Sequence, residues 1–285
     1  MLDRVLSSRL AWYAPSNAIE QENALQEILQ HYVLAGLSRA GMFRDAVFQG
    51  GTCLRIFHGM NRFSEDLDFL LKQPDPAFRW RQYLDSVQED CTRDGIQFEV
   101  QDKSRAGTAV QKAFLKSDSI GKILIMSLPF ERRPSQKISI KLEIDTNPPA
   151  GSTFVTRFLT FPVTLPVTVQ KLESGFALKL HALLCRPYVK GRDWYDFLWY
   201  SARNIRLDFP LLQNALQQHG PWAGQKDRVT LSWLYDQLTN VITHIDWAMA
   251  RNDVQRFLPM MEQEGLRVWG RELFMQQLGR VCSER

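Results

Sequence analysis

Two periods divide the polar and apolar positions of the chain. Up to about Val169, short runs alternate apolar and polar residues, the period of a strand, interrupted by two longer helical stripes. Beyond Val169 the period is that of helices to the end of the chain. Residues 1–16 show no clear period. Asn17 to Ala40 predicts a helix with Leu25, Ile28, Leu29, Tyr32, Val33 and Leu37 on one face, started by Ser16 or Asn17 and ended by Gly41. Strands follow at 43–48, 66–71, 96–100, 122–128 and 136–145, with a charged turn at Glu131-Arg132-Arg133-Pro134. A helix is expected at 76–93 and a short one at 53–57. Residues 154–169 predict one more strand or an extended connection, broken by Pro162 and Pro166. Helices are expected at 171–186, 192–203, 208–219, 227–249, 251–262 and 270–282. The expected architecture is α+β, a mixed sheet with flanking helices over 1–168 and a helical C-terminal domain over 169–285.

Composition narrows this little. Of 285 residues, 45% are hydrophobic and 23% charged, ordinary for a globular protein. The net charge of +4 is compatible with a nucleic-acid partner without demanding one. No apolar run approaches the roughly 20 residues of a membrane span, and the N-terminus has no signal-peptide pattern, so a cytoplasmic protein without membrane contact is expected. Cys53, Cys91, Cys185 and Cys282 are scattered without zinc-ligand spacing, which suits a reducing compartment.

The chemistry concentrates between Phe48 and Leu70. Gly50, Gly51 and Thr52 lead into a short helix whose first N–H groups form an anion site. Arg62 and Ser64 precede Asp66-Leu67-Asp68-Phe69-Leu70. Strand parity puts Asp66 and Asp68 on one face, about 6.5–7 Å apart, with Leu67 and Phe69 turned to the core. Paired carboxylates beside a glycine turn suit Mg²⁺-nucleotide chemistry, because carboxylate oxygens hold a hard cation and turn amides hold phosphate. Further on, Lys141, Glu143 and Asp145 share one face of a strand and Ile140, Leu142 and Ile144 the other. A second cluster begins at Lys179, inside the apolar stripe of Phe176, Leu180, Leu183 and Leu184, where an ammonium needs an anion. It continues through Lys190, Arg192, Asp193 and Asp196. Asp193 also suits a helix cap, and Asp196 suits an i,i+4 pair with Arg192. Trp194, Trp199 and Tyr200 fit a core.

Gly-Gly-Thr followed by Asp-x-Asp resembles the first motif of the polymerase β-like nucleotidyltransferases. The fuller Gly-Gly-Thr…Arg-x-Ser-x-Asp-Leu-Asp-Phe is similar to the AbiEii/AbiGii toxin family, to which the MenT toxins are related. The later Lys-Leu-His-Ala-Leu-Leu-x-Arg…Lys-Gly-Arg-Asp-x-Tyr-Asp-Phe resembles that family's downstream motifs. The resemblance spans about Phe48 to Tyr200 and implies a polymerase β-like core with Glu143 as the favoured third carboxylate and Asp145 as the alternative. It further implies that Asp66, Asp68 and that carboxylate hold two Mg²⁺. Gly50, Gly51, Thr52, Ser64 and Arg62 would serve the phosphates of an NTP. Lys179 would contact phosphate, Lys190 and Arg192 would add positive charge, and Asp193 or Asp196 would complete the site. The implied reaction is nucleotidyl transfer to an RNA end, with tRNA the leading acceptor, by the toxin of a bacterial toxin–antitoxin or phage-defence pair. A nucleotidyltransferase acting on a small molecule or a protein, or a non-catalytic partner-binding member of the fold, are the alternatives.

Overall fold

A computed structural model describes residues 2–102, 110–117, 128–130, 137–225 and 228–283. The chain divides into two compact units, Met1–Pro148 with Phe154–Val169, and Pro149–Thr153 with Gln170–Arg285.

The first unit is built on helices α1 (Leu2–Tyr13), α2 (Ala18–Arg39), α3 (Gly50–His58) and α4 (Arg81–Arg93). Its strands are β1 (Ala46–Gln49), β2 (Asp66–Leu71), β3 (Glu99–Asp102), β4 (Val110–Ser117), β5 (Ile138–Asp145), β6 (Phe154–Leu159) and β7 (Leu165–Gln170). They form one mixed sheet in the order β3-β4-β5-β2-β1-β7-β6. β2 runs antiparallel to β1 and parallel to β5. In register, Phe48 lies beside Phe69 and Val169, Phe69 beside Ile144, and Leu142 beside both Leu67 and Ala113. These side chains turn to one face and bury against α2 and α4, whose Leu25, Ile28, Leu29, Leu84 and Val87 are also buried. The opposite face of β2 and β5 is thereby left to the polar residues of the alternation. The expected fold class, a mixed sheet flanked by helices and followed by a helical part, is the observed one.

Several elements depart from the sequence expectation for local reasons. Among the described side chains of α1, Leu6 and Leu10 are the deeply buried ones, too short a stripe to show a period. Asn17 caps α2 by accepting from the Glu20 amide, while the Glu20 carboxylate accepts from the Ser16 amide at 2.8 Å, a reciprocal cap. Met42–Arg44 is a 3₁₀ turn, so the first strand starts at Ala46, later than the expected Phe43. α3 begins at Gly50, earlier than expected. α4 begins at Arg81 rather than 76, because Asp75 Oδ1 accepts from the Ala77 amide in a side-chain turn and Trp80 is buried. The Ile96 amide closes α4 on Cys91, which delays β3 to Glu99. β4 has no counterpart in the sequence expectation; among its described side chains, Ala113 and Leu115 are the buried ones. Residues 154–169 carry two strands rather than one; Pro166 stands near the start of β7, where a missing amide is tolerated. The expected strand at 122–128, Leu128 excepted, and the turn at 131–134 lie outside the described residues.

The second unit contains α5 (Leu172–Cys185), α6 (Gly191–Ala202), α7 (Phe209–Gln218), α8 (Leu231–His244), α9 (Trp247–Gln255), α10 (Met260–Gln263) and α11 (Arg271–Cys282). The helix expected over 227–249 is two, because Thr230 caps α8 through the Trp233 amide and Asp246 caps α9 through the Met249 amide. The helix expected over 251–262 is likewise interrupted before Pro259. α5, α6, α8 and α11 pack around Phe176, Phe197, Leu234, Leu238 and Phe274. Trp194, Trp199 and Tyr200 are buried here, as a core reading requires; the Tyr200 ring stacks on Phe176 at 4.8 Å. No helix among the described residues is long and apolar enough to cross a membrane.

α6 meets α9 at a point that only a glycine allows. A Cβ on Gly191 would stand 1.8 Å from the Ala250 carbonyl oxygen. Gly191→Ala should therefore destabilise the protein by about 3 kcal/mol in urea unfolding, the upper range for an overpacked contact. Gly265→Ala, with nothing within 4 Å of its Cβ, should stay within roughly 0.5 kcal/mol of the parent.

Candidate active site

The polar face of β2 and β5 carries a compact charged group. Asp68 lies directly across from Glu143, Asp66 from Lys141, and Leu70 from Asp145. Glu143 is thus beside the Asp66–Asp68 pair, while Asp145 is one register step further away. The Asp145 carboxylate accepts from the Asn147 amide at 2.9 Å, shaping the turn that follows β5. Lys112 on β4 lies across from Glu143 on its other side. Its Nζ reaches Glu143 Oε1 at 2.9 Å, and Lys141 Nζ reaches the same oxygen at 3.0 Å. Lys141 Nζ also stands 4.0 Å from Asp66 Oδ2. Burial works against the Glu143 carboxylate, but hydrogen bonds from Lys112 and Lys141 outweigh it and hold its pKa below the ordinary range. Burial also opposes the Lys141 ammonium, and the Glu143 hydrogen bond with the nearby Asp66 charge raises its pKa nonetheless. Among the described residues, no three His, Cys, Asp or Glu side chains are gathered closely enough to hold a metal ion as they stand. The donor chemistry still suits Mg²⁺: carboxylate oxygens from adjacent strands on one face.

The glycine turn abuts this group. Gly50 has φ +77°, and a Cβ on it would lie 2.5 Å from Asp68 Oδ2, so both backbone conformation and space require glycine. A Cβ on Gly51 would lie 2.4 Å from an Arg62 guanidinium nitrogen and 2.9 Å from the Ser64 hydroxyl. The first turn of α3 thus faces Asp68, Arg62 and Ser64 together, with N–H groups that have no acceptor within the helix. Arg62 is buried and donates to the Phe63 carbonyl at 3.0 Å. Thr52 is buried as well, and its hydroxyl donates to the Asp66 carbonyl, tying α3 to the start of β2. Gln30 of α2 donates to the Ser64 and Glu65 carbonyls at 2.9 and 3.0 Å and fixes the approach to β2.

The second cluster lies in the helical unit. Lys179 on α5 reaches Asp193 Oδ1 at 2.6 Å and Asp196 Oδ2 at 2.8 Å, both on α6. Arg186 donates to the other Asp193 oxygen at 2.7 Å. Lys179 thus meets its anions in two carboxylates rather than extending to water. Asp193 sits in the first turn of α6 and does not cap it; Lys190 holds the cap position. Burial disfavours the Asp193 charge, but Lys179, Arg186 and Lys190 overcome this and push its pKa well below the usual range. Burial lowers the Lys190 pKa, and the Asp193 charge opposes that shift. Arg192 lies over the Phe257 ring at 4.4 Å and is 3.7 Å from Asp253.

Sequence reasoning assigned no role to Lys112, Lys141 or Arg186. Lys141 was visible by strand parity, on the same face as Glu143. Lys112 had no signal, because its strand was not foreseen. Arg186 stood within a quoted motif, yet its pairing depends on the turn between α5 and α6.

Residues 32–274 match the family described as nucleotidyl transferase AbiEii toxin, type IV TA system. Among solved structures, a Helicobacter pylori protein assigned as a nucleotidyltransferase is 17% identical, covers 90% of this chain and 93% of its own, and has a TM-score of 0.50. That similarity is one of fold. The nucleotidyltransferase toxin MenT4 of Mycobacterium tuberculosis is 18% identical, covering 97% of this chain and 99% of its own with a TM-score of 0.49. No curated protein matches the chain.

The Asp193 pairing predicts a pH-dependent stability. Asp193→Asn removes the charge but keeps the shape, and should cost about 3 kcal/mol at pH 7, the low end for a broken buried pair because Asp196 still holds Lys179. A depressed folded pKa stabilises fully above the unfolded value of about 3.9, and the contribution is lost progressively as pH falls from there towards the lower folded value. Urea unfolding of both proteins from pH 7 to pH 3 should show the gap constant above about pH 5 and shrinking below pH 4.

Proposed function

We propose, from the premise that the chain belongs to the nucleotidyl transferase AbiEii toxin family of type IV toxin–antitoxin systems, that it is an Mg²⁺-dependent toxin acting on RNA in the cytoplasm. It would transfer a nucleotide from an NTP to the hydroxyl of an RNA end, with tRNA the leading acceptor, and release pyrophosphate. A cognate antitoxin, encoded nearby, would be its partner. The observation that carries the reading is the register of β2 on β5, with Asp68 across from Glu143 and the Gly50–Gly51 turn against Asp68.

Asp66, Asp68 and Glu143 would hold the metal, with Asp145 the alternative third carboxylate; register favours Glu143. Two Mg²⁺, when bound, would neutralise the triphosphate and lower the pKa of the acceptor hydroxyl. The amides of Gly50, Gly51 and Thr52 would donate to phosphate at the start of α3, where the helix dipole favours an anion. Arg62 would place its charge beside Gly51 and Ser64 its hydroxyl, both within reach of the same turn. Glycine at both positions lets backbone and phosphate approach closely. Lys179 is held between Asp193 and Asp196; a phosphate role for it, with Lys190 and Arg192 adding positive charge, rests on the family pattern alone. The family pattern supports these roles, and the burial of Asp193 and Asp196 supports a rigid Lys179.

The test combines the protein with total RNA and each labelled NTP in Mg²⁺ or in EDTA. Label should enter tRNA with Mg²⁺ and not with EDTA. Asp66→Asn and Asp68→Asn should each lower transfer by more than a hundredfold while melting within a few degrees of the parent, since half-exposed acids of like charge add little stability. Full transfer by either variant would remove the metal assignment. Label entering a small molecule or protein instead of RNA would move the acceptor to the alternative class.

A further inference from the structure

We infer that the Lys141 ammonium is the chain's own occupant of the cation place beside Asp66 and Glu143, so that a divalent ion must displace it and the protein without nucleotide binds metal weakly. The inference rests on the proposed metal site and concerns how that site is kept and loaded.

Three observations carry it. Lys141 Nζ lies within 4.0 Å of a carboxylate oxygen on each of two strands, Glu143 on β5 and Asp66 on β2. An ordinary surface pair joins one cation to one anion; this ammonium bridges the donors proposed for the metal. The position is dictated by the sheet, since Lys141 is the register partner of Asp66 and shares its face with Glu143. Finally, Lys112 Nζ takes the same Glu143 oxygen from the β4 side at 2.9 Å, so the third carboxylate is engaged twice. The side chains of Lys141 and Glu143 are 30% and 21% exposed, enough shielding for these charges to be felt.

Charge accounting gives the consequence. Asp66, Asp68 and Glu143 carry three negative charges, and Lys112 and Lys141 return two positive ones. A divalent ion at this place meets a nearly neutralised site and a like charge a few ångströms away, a repulsion worth far more here than in bulk water. A nucleoside triphosphate alters the balance, because it brings anionic oxygens on which a displaced ammonium can settle. Metal loading is thereby tied to nucleotide arrival. The same ammonium keeps the carboxylates from repelling one another when the metal is away.

The experiment measures Mn²⁺ binding directly, by titration calorimetry and by the electron paramagnetic resonance of free Mn²⁺, without nucleotide and then with a non-hydrolysable NTP analogue. Lys141→Met keeps the aliphatic stem and removes the charge; it should bind Mn²⁺ at least about tenfold more tightly than the parent without nucleotide. Lys141→Gln should do the same, and Lys141→Arg should not. Adding Asp66→Asn to Lys141→Met should abolish the gain. Met and Gln variants that melt normally but bind Mn²⁺ no more tightly, while Asp66→Asn still weakens Mn²⁺ binding in the analogue complex, would overturn the inference and leave the metal site standing. Mn²⁺ binding indifferent to Asp66→Asn and Asp68→Asn in every background would overturn both.

Discussion

The parallel pairing of β2 with β5 is the constraint on which the rest of the first unit depends. One register satisfies both faces at once. On the apolar side it places Leu67 beside Leu142 and Phe69 beside Ile144, completing the surface that α2 and α4 cover. On the polar side it places Asp68 beside Glu143 and Asp66 beside Lys141. A slip of one residue would bury carboxylates and expose the core, a penalty far larger than any gain on the charged side. The charged geometry is therefore held by hydrophobic burial behind it.

The loop between β1 and β2 is organised by the same pair of strands. β1 delivers Gly50 to a point where nothing larger fits against Asp68, and α3 then returns the chain through Arg62 and Ser64. Buried polar contacts hold this arrangement: Thr52 to the Asp66 carbonyl, Gln30 to the carbonyls of Ser64 and Glu65. Such contacts are costly to leave unmade, so they fix the loop more firmly than surface pairs could. The start of α3 and the carboxylate face are consequently one construction.

Each unit also pairs lysine with two carboxylates, and the environments differ. Lys141 bridges Glu143 and Asp66 on a half-exposed sheet face, where a competing cation or phosphate can rearrange it. Lys179 bridges Asp193 and Asp196 between two packed helices, where Arg186 also holds Asp193. Burial makes the second cluster a structural element of the helical unit as well as a candidate for chemistry, and charge removal there is felt in stability.

What the amino-acid order determined by itself is local and periodic. The alternation of Asp66 to Leu70 dictated a strand with its acids on one face, the stripe of Leu25 to Leu37 dictated α2, and the switch of period near Val169 separated the sheet from the helices. Motif spacing was enough to suggest the nucleotidyltransferase family. Elements with little apolar signal stayed hidden: α1 rests chiefly on Leu6 and Leu10, and β4 on Ala113 and Leu115. Tertiary structure alone decided that Glu143, rather than Asp145, stands across from Asp68, because parity is identical for both and only the offset between strands distinguishes them. It alone brought Lys112 to Glu143 and Arg186 to Asp193. The physical reason is that side-chain direction follows from the chain's own dihedrals, whereas the neighbour across a strand or helix is chosen by the packing of the whole core.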